Sequence, residues 1–338
     1  MAEASAFLNR DYTVKLETLD SLKNYWEHSD YCLHWPSLFS TPFWMKVWSS
    51  SFGCGQMLHI VSVYKGETLI GLAPMILCDD TVSLIGSPEV CDYLDFIIAP
   101  GLGLEFFETL IKYLNIIRVK RMTLICLRED SIAISELVPL ARRKGFQVSL
   151  AADDVTYEME LPPSWEQFLE LLNKKQRHEV RRKIRRLEES GTIMLRVIES
   201  PVTACESFPD FLELFRLSRA DKAAFMTDAK ADFFRKIAVA AAEEQMLRLC
   251  FLDFEGRPVS AALCFNYGST VFLYNSGYDS RFSNLNVGLV CKLFSIRDSI
   301  ERGSLSYDFL KGNEIYKQRL GGHPVRLYRC EIDIDITK

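Results

Sequence analysis

The sequence predicts an α/β protein built as two tandem units of one design, each a mixed central sheet flanked by helices. Three observations carry that prediction. At 338 residues the chain exceeds the usual size of one domain, so each half is long enough to hold its own core. Two stretches, LHIVSVYKGETLIGLAPMIL from Leu58 and LRLCFLDFEGRPVSAALCFN from Leu247, share the pattern strand, glycine turn, strand. Beyond each, T-V-x-L-x-x-S recurs at nearly the same distance, as Thr81 to Ser87 and Thr270 to Ser276.

Taken in order, each half reads as a hairpin, a third strand, a helix and a fourth strand. The turns Lys65-Gly66-Glu67 and Glu255-Gly256-Arg257 put glycine where a tight hairpin needs positive φ. A helix follows over Leu104 to Arg118 and over Val287 to Arg302, where apolar residues recur every three or four positions. Each helix leads to a strand, Met122 to Leu127 and Leu305 to Leu310, which a helical crossover makes parallel to the third strand. Helical patterns also cover 161–172, 173–190, 202–221 and 229–245, ahead of the second hairpin. Pro162-Pro163 marks the junction, giving units at 1–160 and 161–338, with Val325 to Ile334 as a last strand of the second.

Composition excludes several classes. With 40 basic against 45 acidic side chains and 48% hydrophobic residues, the chain is neither disordered nor a polycation for nucleic acid. The ten cysteines stand singly, without C-x-x-C spacing, in apolar contexts such as those of Cys126, Cys250, Cys264 and Cys291, so buried reduced thiols are expected. The start, MAEASAFLNRDY, lacks the marks of an export signal, and no apolar run nears the roughly 20 residues that span a bilayer. A cytoplasmic protein is expected. His28, His34, His59, His178 and His323 show no metal-ligand spacing, so no metal is expected.

Two clusters stand out by charge. The helix from Lys174 to Arg186 carries Lys174, Lys175, Arg177, Arg181, Arg182, Lys183, Arg185 and Arg186 against Glu179 alone. Exposed helices usually alternate sign to gain i,i+4 pairs; this one repels itself, which an anionic ligand at Arg177 and Arg181 would offset. CoA phosphates, a nucleotide-linked sugar, a tRNA acceptor stem and an anionic membrane all fit, and a solvated face is the plain alternative. Asp92, Tyr93 and Asp95 form the second cluster. Their paired carboxylates, read as lying in a strand, could recognise an acceptor amine or simply cap loops.

KKQRHEVRRKIRRLEESG (174–191), YNSGYDSRFSNLNVGL (274–289) and YDFLKGNEIYKQRLGG (307–322), with DYLDFIIAPG (92–101) in the first half, together resemble the GNAT acyltransferase fold, present twice. The closer resemblance is to the cellulose-biosynthesis-type (BcsL/CelD) acetyltransferases, relatives of the Fem-type peptidyltransferases. It covers most of the second half. The resemblance implies transfer of an acyl group, acetyl or longer, from acyl-CoA (acetyl-CoA) to an amine of a small-molecule, sugar or peptide acceptor. The Fem-type alternative takes aminoacyl-tRNA as donor, which alone would make nucleic acid a partner. A degenerate GNAT-like binding or scaffold protein is the other alternative.

The resemblance also assigns residues. The loop after the fourth strand of a GNAT unit offers backbone N–H groups to the CoA pyrophosphate, usually as Q/R-x-x-G-x-G/A. Here Arg281 to Gly288 keeps the arginine and one glycine but not the glycine spacing. Arg281, Asn284, Val287 and Gly288 are the implied donor-binding residues, with Tyr274 and Ser276 on the strand beside the acyl group. Asp308, on the neighbouring strand, and Glu314 are candidate bases for the acceptor amine, and Tyr278 or Tyr316 a candidate acid for the departing thiolate. Lys317, which matches the lysine of the family's Y/F-K motif, is too basic to be the base. It would hold an anion or stabilise developing charge, unless it only pairs with Asp308 or Glu314. Gly101-Leu102-Gly103 is read as a turn, and the first unit as a support.

Overall fold

The computed structural model describes residues 6–9 and 11–334. The chain divides into two compact units, one of residues 1–154 with 325–338, the other of residues 155–324.

The first unit contains β1 (Ala6–Asn9), β2 (Tyr12–Glu17), α1 (Leu19–Glu27), α2 (Pro42–Phe52), β3 (Met57–Lys65), β4 (Thr68–Cys78), β5 (Thr81–Leu84), β6 (Ile97–Ile98), α3 (Gly103–Ile116), β7 (Arg121–Arg128) and α4 (Val138–Arg143). β8 (Gln147–Glu160) follows, and the division falls inside it. The second unit continues with α5 (Trp165–Leu171), α6 (Lys174–Ser190), β9 (Ile193–Ile198), α7 (Pro201–Ser218), α8 (Ala220–Phe225), α9 (Asp228–Glu243), β10 (Leu247–Phe254), β11 (Arg257–Tyr267), β12 (Thr270–Tyr278), α10 (Val287–Glu301), β13 (Ser306–Lys311) and α11 (Ile315–Arg319). The last strand is β14 (His323–Asp333).

The repeat is real at the level of register. β5 runs parallel to β7 with Thr81 opposite Arg121, and β12 runs parallel to β13 with Thr270 opposite Ser306. Both hairpins turn on two residues, Gly66-Glu67 and Glu255-Gly256, and both glycines have positive φ, 59° and 73°. Sheet order is β1-β2-β3-β4-β5-β7-β14 in the first unit and β8-β13-β12-β11-β10-β9 in the second.

Two expectations change. The final strand belongs with the first unit, because β14 pairs antiparallel with β7, Leu327 opposite Arg128 and Ile332 opposite Met122. Residues 92–95 are not a strand; only Ile97–Ile98 pairs, with β4, after a loop.

The core of the second unit lies on both faces of its sheet. Leu252, Ala262, Val271 and Leu273 join Val287, Val290, Leu293 and Ile296 of α10 in one apolar cluster. On the other face α7 passes so close that a Cβ on Gly277 would overlap the Phe215 backbone, so only glycine fits there. Cys126, Cys250, Cys264 and Cys291 are buried thiols as expected, whereas Cys32, Cys54, Cys78 and Cys205 are exposed. Among the described residues no helix is long and apolar enough to cross a membrane, and no cluster could hold a metal ion.

Candidate active site

The site begins where two neighbouring strands part. β12 and β13 pair only from Thr270 to Phe272 and from Ser306 to Asp308. Each keeps its outer neighbour further along, Tyr278 opposite Ser260 of β11 and Lys311 opposite Thr156 of β8. The opening therefore lies inside the sheet. On its β12 side Tyr274 is an extra residue between the pairs Leu273–Cys264 and Asn275–Leu263, a bulge that re-aims the backbone groups next to the opening.

After β12 a tight turn over Ser280–Leu285 delivers the chain to α10. The N-cap of that helix, Asn286, is left-handed at φ 59° and its side chain makes no capping bond, so the first amides are left without a cap. They border a cavity of about 340 Å³. Its walls are one face of α6, namely Gln176, Glu179, Val180 and Lys183, the end of β12 at Tyr278, the first turns of α10 through Gly288 and Lys292, and Tyr316 and Arg319 of α11. α6 is fixed at its start by a reciprocal cap, Asn173 accepting from Gln176 N–H and Gln176 from Asn173 N–H. A methyl on Gly288 would stand 2.8 Å from Tyr278 Cδ1, so the one glycine of the loop is required by this packing.

Lys317 is the centre of a second arrangement. It is 2% exposed, and its ammonium donates to the carbonyls of Leu310 at 2.9 Å, Gly312 at 3.0 Å and Lys311. Glu314 lies 3.1 Å away. Burial acts to raise the Glu314 carboxyl, but Lys317 beside it prevails and holds it below the usual range. Lys317 thus clamps the bend between β13 and α11. Asp308, 1% exposed, accepts the Leu310 N–H at 2.7 Å and supports the same bend. Burial raises the Tyr316 hydroxyl, which keeps it protonated at neutral pH.

The structure brings Tyr278, Tyr316, Val287 and Gly288 together around the cavity, with Glu314 and Lys317 on the adjoining bend. Others go elsewhere. The Arg281 side chain is 79% exposed and gripped by Asp279, whose carboxylate accepts from its Nε and Nη2. Asn284 and Arg181 do not border the cavity, and Arg177 turns back to the Leu172 carbonyl. The Tyr274 ring is packed between Phe234 and Phe265. In the first unit Asp95 is buried and accepts from the N–H groups of Phe96, Ile132 and Ala133, which caps the helical segment at Ala133. Burial pushes its carboxyl up to about 7 against the pull of those amides. Tyr93 is buried under Arg128 and against Phe39, while Asp92 is half-buried.

Two lysines escaped the sequence reading. Lys292 is buried on the cavity side of α10 and donates to the Gly288 carbonyl at 3.1 Å. Lys222 of α8 reaches the Ser276 carbonyl at 2.6 Å. A lysine inside the apolar run Val290-Cys291-Lys292-Leu293 was the available signal. Lys222 gave none.

Residues 174–318 match the family described as "Acetyltransferase (GNAT) domain". No curated protein sequence matches the chain. Among solved structures, FemX is similar at a TM-score of 0.65 and 11% identity, over 94% of this chain and 96% of that one. A conserved protein of unknown function from Bacteroides thetaiotaomicron VPI-5482 is similar at 0.59 and 10%, over 94% and 98%. A tandem GNAT protein from the clavulanic acid biosynthesis pathway is similar at 0.53 and 11%, over 97% and 100%. Identities this low speak for fold alone. The cavity, the parted strands and the match to the GNAT acetyltransferase model fall on or beside one stretch, residues 174–318, in a chain whose fold is similar to those of FemX and the tandem GNAT protein.

Proposed function

We propose that the protein transfers an acyl group from acyl-CoA to an amine, working in its second unit. The observation that carries this reading is the opening between β12 and β13 leading to the uncapped start of α10. A helix N-terminus favours anions, so the pyrophosphate of the donor would lie against the Val287 and Gly288 amides, with Lys183 and Arg319 in the same wall. The pantetheine arm then fits the opening as an extended segment beside a strand edge.

Backbone N–H groups at the Tyr274 bulge would polarise the thioester carbonyl. The acceptor nitrogen attacks that carbon, the C–S bond breaks, and the amine proton passes to Glu314 directly or through water. Tyr316 or Tyr278 returns a proton to the sulfur. Asp308 stands behind this site as a positioning residue. Tyr316-Lys317 supports the narrower kinship with the cellulose-biosynthesis type, and the reading carries a cytoplasmic location.

Calorimetry of the full chain with CoA and acetyl-CoA tests the proposal. Binding that Arg319→Glu weakens is the expected result, and absence of binding by any acyl-CoA overturns it. One observation favours aminoacyl-tRNA as a second reading: Lys174, Lys175, Arg181, Arg185 and Arg186 form an exposed basic surface on α6. Retention of aminoacyl-tRNA in preference to deacylated tRNA would decide for it.

A further inference from the structure

We propose that the gap between β12 and β13 receives a carboxylate of the ligand, held between Lys222 and Lys292. The inference rests on the acyl-transfer reading and adds the chemical class of what is bound. Lys222 comes from the α8 side, where its ammonium meets Ser276, four residues beyond the last β12–β13 pair. Lys292 comes from the α10 side, over the ring of Tyr316 at 5.1 Å. Each donates to one backbone carbonyl and neither forms an ion pair with a carboxylate among the described residues.

Two ammonium groups so placed need a counter-charge. The acid that acts on both, Glu314, is already bonded to Lys317. Burial first and the charge of Lys292 second bring Lys222 down to about 8. An ammonium has three donors, and each lysine here has spent one. A carboxylate between them accepts from both and removes their repulsion.

The carboxylate has two possible sources, the far end of a dicarboxylic acyl group or an amino-acid acceptor. Calorimetry with acetyl-CoA and succinyl-CoA tests the first, and 4-aminobutyrate against butylamine on the CoA-saturated protein tests the second. One charge-assisted contact of this kind gives about 10-fold to 100-fold. The expected result is a preference of that size for the carboxylate in one arm, falling towards unity in Lys222→Met and in Lys292→Met. No preference in either arm overturns the proposal, and that result needs no variant to fold. Equal weakening of CoA, acetyl-CoA and succinyl-CoA by the variants also overturns it, since the lysines would then serve the nucleotide. If CoA does not bind at all, the acyl-CoA reading falls alone; free succinate and 4-aminobutyrate then carry the test, and their failure to bind overturns the carboxylate site.

Discussion

The Lys317 ammonium donates to the Leu310 carbonyl at 2.9 Å, tying α11 to the end of β13 across the bend that closes the candidate site. Leu310 itself is left-handed, φ 57°, a conformation that a leucine holds only when its surroundings insist. Lys317→Met would leave three carbonyls of this bend unmet. A loss of about 3 kcal/mol is expected, visible as a lower urea midpoint with an unchanged slope. Retained stability would release Lys317 from this duty and return it to the list of groups that act on the ligand.

Glu314 offers the contrasting case. Its side chain is 46% exposed, so Glu314→Gln should cost less than about 1 kcal/mol. Acyl transfer should fall by about 100-fold or more if the carboxylate accepts the amine proton. An active, stable Gln variant would leave water as the acceptor of that proton.

Gly288→Ala tests the packing under the loop. The new methyl would press on the Tyr278 ring, and that ring must move into the cavity. Overpacking of this kind costs about 1–3 kcal/mol. Affinity for CoA should fall while Arg281→Ala, on an exposed arginine tied to Asp279, changes it little.

Lys222 predicts a pH dependence. Its folded pKa, about 8, lies below the 10.5 of the free side chain, because burial and then Lys292 disfavour the charge, while Glu314 and Asp221 oppose and Arg219 assists. The folded state binds fewer protons between those values, so stability rises with pH through that window. The full relief is about 3 kcal/mol. Denaturant midpoints of the native chain and of Lys222→Met, compared from pH 7 to 10.5, should show a larger rise in the first than in the second, where buried Lys292 still titrates below its usual range.

Asp95→Ala should destabilise the first unit by about 2–4 kcal/mol, because three backbone N–H groups lose their acceptor in a buried place. Acceptor KM should not move. A raised KM at native stability would restore the acceptor role first read from the Asp92, Tyr93 and Asp95 cluster.

Much of this architecture was legible in the sequence. The hairpin glycines, the T-V-x-L strands and the helices that follow them are local patterns, and local patterns survive folding. What escaped was set by contacts distant in sequence. Nothing in Val325 to Ile334 says which unit's sheet it will complete, since any strand of alternating burial fits either edge. Asp95 and Lys317 have the residue types of chemistry, and their burial against backbone groups appears only once the chain has folded. Lys222 meets Ser276 across 54 residues of sequence, too far for any motif to announce.

Because β14 completes the sheet of the first unit beside β7, that unit waits on residues 323–333, made long after β7 itself. At the pace of a ribosome, about 5–20 residues per second, some 200 residues of synthesis separate β7 from its partner, a delay of about 10–40 s. During it the nascent first unit has β7 exposed along one edge, a surface that invites pairing with the wrong strand. A chaperone that dwells on the nascent chain until residue 333 emerges would find its natural client here, and a fragment ending before residue 325 would aggregate although most of its own elements are present.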